Sequence, residues 1–127
     1  MSATTAIVSD GRNTEKIVVG LVERVTIMGK KKNTFIARID TGATKSSIDT
    51  QLAGDLGLGP IISSRLVKSV HGNSVRPVIE AAVTLAGKQV KAEFSLANRS
   101  HMKYPVLIGQ NILKEGFLID PSHPLPE

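Results

Sequence analysis

The chain of 127 residues has no cysteine and no tryptophan, and aromatic residues make up only 3% of it. Without cysteine neither a disulfide framework nor a thiolate metal centre can form. Zero cysteine also fits a reducing compartment, so a cytoplasmic location is expected. With so few rings, the core has to be aliphatic, drawn from the Ile, Val, Leu and Ala that dominate a hydrophobic content of 41%. Scarce aromatics argue against single-strand nucleic-acid binding, which stacks bases on aromatic faces. No apolar run approaches the ~18 residues of a membrane span. Residues 1–13 lack a basic stretch followed by an apolar one, so no secretory leader is read there, and a flexible lead-in is expected instead. Neither H-E-x-x-H nor G-x-x-x-x-G-K-[ST] occurs, and His71, His101 and His123 stand far apart. Neither a metal nor a cofactor, ATP included, is therefore expected.

Positive charge is what the chain has in surplus, with 16 Lys and Arg against 11 Asp and Glu, a formal net of +5. Such a balance suits an acidic partner or substrate, or a non-specific polyanion. Lys30, Lys31 and Lys32 sit between two apolar stretches and read as a solvated hairpin tip.

Length sets the prior at one domain. Residues 16–27 alternate, with Ile17, Val19, Leu21, Val25 and Ile27 on one face and Glu23 interrupting it. A turn at 28–33 leads to a second strand, 34–39. Residues 46–49 form a short strand, and Thr50 is expected to cap a helix over 51–56 that stops at Gly57. Residues 65–70 and 75–85 are strands around a turn at 71–74. Pro77 has no N–H to give a ladder, so its strand lies at an edge or projects from the sheet. Residues 89–97 alternate cleanly, with Val90, Ala92, Phe94 and Leu96 inward and Lys91, Glu93 and Ser95 outward. A polar loop, 98–104, precedes an apolar strand at 105–109, a helical turn at 110–115 and a last strand at 117–120. Residues 121–127 are a proline-rich tail. The sum is an all-β, barrel-like domain over residues 14–120 with one or two short helices.

The stretch that carries chemistry is Asp40-Thr41-Gly42-Ala43, at the end of an apolar strand. A carboxylate there can be oriented by the N–H of Gly42, whose missing Cβ allows close approach. Three segments occur in a set order: Ile39 to Ile48 (IDTGATKSSI), Val67 to Ile79 (VKSVHGNSVRPVI) and Arg99 to Ser122 (RSHMKYPVLIGQNILKEGFLIDPS). In these the chain resembles the retropepsin-like aspartic proteases. It is most similar to the small members labelled ATP-dependent zinc proteases and associated with ATP-grasp glutamate ligases. One departure is Asp49, where bacterial members tend to carry a histidine.

The resemblance implies a closed all-β barrel that works as a homodimer, because one Asp40 per chain supplies half of a catalytic pair. It implies Asp40 as the catalytic residue, Thr41, Gly42 and Ala43 as the active-site loop, and Ile108 and Gly109 as its structural backing. His71, Gly72 and Asn73 would form a flap tip, with Arg76 at the substrate. Arg99 and Lys103, with Lys68, would contact acidic side chains, although each singly reads as an ordinary surface charge. The implied activity is hydrolysis of peptide or glutamyl amide bonds, with a functional link to an ATP-grasp ligase. The rival reading is a non-catalytic dimeric peptide-binding module on the same fold. A third, a basic polyanion-binding barrel, predicts nucleic-acid affinity that falls steeply with salt.

Overall fold

The computed structural model describes residues 5–9, 11–12 and 15–125. Ten strands and two short helices follow one another in these residues. They run β1 (Ile7–Ser9), β2 (Glu15–Val19), β3 (Val22–Met28), β4 (Lys32–Ile39), β5 (Ser46–Asp49), α1 (Thr50–Asp55), β6 (Ser63–Ser69), β7 (Gly72–Leu85), β8 (Lys88–Ala97), β9 (Val106–Ile108), α2 (Gln110–Leu113) and β10 (Phe117–Ile119).

Six strands close a barrel in the order β3-β4-β9-β5-β8-β7, and the antiparallel pairing of β7 with β3 makes the seam. β6 stays outside, paired only with β7. Closure removes the unpaired edges that an open sheet would expose. The fold is the all-β barrel expected from the strand pattern.

The barrel interior follows the period-2 alternation of its strands. Val25 and Ile27 of β3, Ile79, Val83 and Leu85 of β7, and Phe94 of β8 are almost wholly enclosed. Each such side chain contributes about 1.5–3 kcal/mol through burial. Val19 of β2 and Phe117 of β10 join the same core, so the small sheet β1-β2-β10 packs on the barrel instead of standing apart.

Several expectations need correction. The strand expected over 16–27 is two strands, broken at Gly20 and Leu21, and they belong to different sheets. Glu23, read as an interruption of the apolar face, is buried on it, with its Oε1 accepting the Gly20 N–H at 2.8 Å. That bond supplies the partner a buried carboxylate needs at the break. The helix cap is Asp49, whose Oδ2 accepts the Leu52 N–H, and Thr50 is the first helical residue. Ser95, expected outward, is buried against β5. Within the expected flexible lead-in, residues 7–9 form a strand paired with β2, while residues 1–4, 10 and 13 lie outside the described residues. Of the proline-rich tail, 121–125 carry a turn and irregular backbone, and 126–127 lie outside the described residues.

Pro77 marks where the long strand β7 changes role. Residues 78–85 pair with β8 inside the barrel, whereas residues 72–77 pair only with β6. The β6–β7 hairpin therefore projects as a two-stranded arm. Its turn is Val70-His71, since Ser69 already pairs with Gly72. Gly72 and Asn73, expected at the tip, belong to β7.

Candidate active site

β4 ends at Ile39 and delivers Asp40 directly after it. The Asp40 N–H donates to the Ile108 carbonyl at 2.9 Å, which pins the strand end to β9. The chain then turns on itself. The Gly42 N–H donates to Asp40 Oδ1 at 3.0 Å, and the Ala43 N–H donates to the Asp40 carbonyl at 3.3 Å. One carboxylate oxygen is thereby oriented by backbone. Oδ2 has no hydrogen-bond partner among the described residues. A Cβ on Gly42 would lie 3.3 Å from Oδ1, so glycine serves here by keeping that approach clear.

The loop is held from behind by α2. The Gln110 N–H donates to the Ala43 carbonyl at 2.8 Å, and the Asn111 N–H donates to the Thr44 carbonyl at 3.2 Å. Gln110 Nε2 donates to the Thr41 carbonyl at 2.6 Å. The two backbone bonds use N–H groups at the start of a helix, which have no partner within it. Ser46, wholly buried, accepts the Gly109 N–H at 3.0 Å and donates to Asn111 Oδ1 at 2.8 Å. Gly109 itself allows the contact, because a Cβ there would fall on the backbone of Ala43 and Lys45. Ile108 and Gly109 therefore back the loop directly.

Two adjoining cavities open beside this loop. One, of about 460 Å³, is lined by Asp40 together with Arg38, Arg99, Lys103 and Tyr104. The other, of about 270 Å³, is lined by Gly42 and Ala43 together with Ser47, Arg65, Arg76 and Arg99. Arg99 belongs to both. It was expected as a contact for acidic side chains that singly reads as a surface charge, and only 9% of it is exposed. Its backbone N–H donates to Asp49 Oδ1 at 2.8 Å, and its Nε donates to the Tyr104 carbonyl at 3.0 Å. Burial holds the Arg99 guanidinium below its ordinary pKa. Arg38 and Arg76 add to that, while Asp49 and Asp40 pull the other way. Arginine titrates so high that the group keeps its charge.

The expected residues are thus distributed unevenly. Asp40, Gly42, Ala43, Arg76, Arg99 and Lys103 line the cavities, and Thr41 sits exposed on the loop between them. His71, Gly72 and Asn73 lie exposed near the end of the hairpin arm and line neither cavity. Lys68 is likewise exposed on that arm. Sequence reasoning missed Arg38, Arg65 and Ser47. Among the described residues no group of three His, Cys, Asp or Glu side chains is gathered as a metal site would need. Nor is any helix among them long and apolar enough to cross a membrane.

Residues 58–125, more than half of the chain, match the family described as RimB-like, retropepsin-like aspartic endopeptidase RimB. The chain belongs to the RimB-like family. Solved structures agree on the fold of this RimB-like chain. A Legionella pneumophila protein of unknown function superposes with a TM-score of 0.62 at 22% identity, covering 89% of this chain and 97% of that one. The simian foamy virus protease superposes at 0.57, also at 22% identity, covering 73% and 91%.

Curated relatives of the RimB-like chain include proteins named probable alpha-L-glutamate ligase. That of Shewanella pealeana is 35% identical over 63 residues, 49% of this chain and 14% of its own length. That of Parasynechococcus marenigrum is 27% identical over 139 residues, 88% of this chain and 30% of its own. The chain therefore spans between about a seventh and a third of the length of these relatives.

Proposed function

We propose that this chain is one half of an aspartic peptidase, completed when two copies meet with their Asp40 loops at the two-fold axis. The observation that carries this reading is the Asp40 carboxylate itself. It is oriented by the Gly42 N–H, braced by α2, and faces a cavity with Oδ2 unengaged among the described residues. Two carboxylates a few ångströms apart cannot both ionise cheaply, so the pair holds one proton between them. The ionised member takes a proton from a water held between them, and the protonated member donates to the substrate carbonyl oxygen. The product of that step is a tetrahedral gem-diol, with no covalent intermediate. Thr41, exposed on the loop, would hydrogen-bond to the partner chain and fix the pair. The hairpin arm, with His71, Gly72 and Asn73 towards its end, would cover the cleft.

The substrate in this reading is a peptide with acidic side chains. Arg38, Arg76, Arg99 and Lys103 give the cavities beside Asp40 and its loop a strongly positive lining. The named ligase relatives support a functional link to an ATP-grasp ligase, the class of enzyme that would make a glutamate-rich substrate. Asp40→Asn tests the assignment. Cleavage of acidic peptides should fall to background while sedimentation still reports the dimer. Cleavage that survives the substitution removes Asp40 from the chemistry. A wild-type protein that binds peptides yet cuts none of a broad library, with a pepstatin control alongside, is the non-catalytic binding module instead.

A further inference from the structure

The cavity next to the active-site loop carries two features that the water-activation step does not itself require. The first is Ser47. β5 alternates, so Ser46 and Ile48 turn to one face and Ser47 and Asp49 to the other. Ser46 is fully hydrogen-bonded, as described above. Ser47 is only 7% exposed, and its hydroxyl has no hydrogen-bond partner among the described residues. A buried hydroxyl left unpaired is destabilising and calls for a reason. Ser47 lines the cavity that Gly42 and Ala43 also line.

The second feature is a pair of like charges. Arg65 of β6 and Arg76 of β7 stand directly opposite each other in the hairpin ladder. Like charges at such positions repel. Both arginines line the same cavity as Ser47, and among the described residues no salt bridge engages either of them. Arg99 joins them from the other side. The Asp49 carboxylate anchors its backbone N–H and the Tyr104 carbonyl accepts from its Nε, so its guanidinium is tethered before anything binds. One anion would relieve all of this at once. A carboxylate accepts from a hydroxyl and from guanidinium forks together, and such charge-assisted bonds are the strong ones.

We propose that Ser47, with Arg65, Arg76 and Arg99, forms a recessed subsite that takes one side-chain carboxylate of the bound peptide and sets the residue preference beside the cleaved bond. The inference rests on the peptidase reading for the identity of the ligand, but not for the existence of the subsite. It makes Ser47 a specificity-determining residue. Asp49, through its hold on Arg99, becomes a positioning residue.

The experiment uses the full chain carrying Asp40→Asn, so that binding is read without cleavage. Fluorescent peptides built on a neutral background carry one Glu walked along the sequence, each with a Gln twin. Anisotropy titrations give the Glu-over-Gln affinity ratio at every position. One position should show a ratio of about tenfold or more, the scale of a hydrogen-bonded charge. Adding Ser47→Ala should cut that ratio several-fold while the melting temperature stays level or rises, because an unpaired buried hydroxyl has gone. Adding Arg76→Gln should abolish the ratio. A flat ratio at every position overturns the proposal, as does a ratio that Ser47→Ala leaves intact. A melting temperature that falls by several degrees in Ser47→Ala overturns it too, since the hydroxyl would then be structural. Displacement of every peptide alike by inorganic phosphate, with no Glu preference, assigns the cavity to free anions and likewise overturns it. If the ratio is present but the wild-type protein cleaves nothing, the subsite stands and the peptidase reading fails. Cleavage without the ratio has the reverse meaning.

Discussion

Adding one methyl group at Gly109 should loosen the Asp40 loop, whereas the same group at Gly54 should tighten the fold. At Gly109 the backbone is extended in a way any residue accepts, so strain at φ plays no part. The obstacle is space. A Cβ there would lie 2.8 Å from the Ala43 carbonyl oxygen and closer still to the Lys45 backbone, and neither can rotate away as a side chain could. Overpacking of this kind costs about 1–3 kcal/mol. The loop must also move off α2, weakening the bonds from the Gln110 and Asn111 N–H groups, each worth about 0.5–1.5 kcal/mol. Gly109→Ala should therefore destabilise by about 2–4 kcal/mol, which for a domain of this size lowers the melting temperature by about 6–16 °C. Gly54 sits inside α1 with nothing within 4 Å of its would-be Cβ. Gly54→Ala should gain about 0.5–1 kcal/mol from helix propensity and reduced unfolded-state entropy. Urea titrations of the two variants, with m-values compared to confirm the same unfolding transition, read both signs in one assay. The proposed peptidase activity should fall with Gly109→Ala and hold with Gly54→Ala. A Gly109→Ala protein with an unchanged urea midpoint would refute the claim that the loop and α2 are in backbone contact.

Two more predictions follow from single carboxylates. Asp49→Ala removes both the α1 cap and the acceptor for the Arg99 N–H, and should cost about 2–4 kcal/mol in denaturant titrations. Asp49→Asn, which keeps one acceptor, should lose about half as much. Asp120 is held below the ordinary carboxylate range by the Ser122 hydroxyl and then by its N–H, at 2.7 and 3.0 Å. A depressed folded-state pKa means that this group's contribution to stability is present above the unfolded value, near 3.8, and is lost as pH falls through the folded value. Ser122→Ala should raise the Asp120 titration midpoint in a carboxyl-detected NMR experiment. An unmoved midpoint would remove the hydroxyl as its cause.

Much of the barrel was legible because its strands alternate. β5, β8, β9 and both short helices stand close to where the residue pattern puts them, and Asp40 lies at a strand end as its motif implies. What escaped depended on register and on partners far away in sequence. Placing the hairpin turn at 71–74 sets Glu80 opposite Arg65, an ordinary ion pair. The observed turn at 70–71 sets Arg76 there instead, and the charge clash becomes visible. Arg99 reads as a loop cation until Asp49, fifty residues earlier in the chain, is seen to hold it. Glu23 looked like a flaw in an apolar face, because nothing local reveals that the strand breaks at Gly20 and leaves an N–H for it to receive. Ser47 and Ser95 were invisible for a similar reason. A serine in a strand is silent about which of its neighbours will close over it.

β7 runs unbroken for 14 residues, with residues 78–85 in the barrel wall and residues 72–77 in the projecting arm. Arm and wall are thus cut from one plank. An arm that lifts to admit a ligand cannot do so on a loose loop. It has to flex a continuous strand near Pro77, where the ladder to β8 ends. The residues just inside that bend, Val78 and Ile79, are core residues. Loosening the interior of this protein would therefore be felt along the arm, and whatever grips the arm from outside would pull on the interior in return.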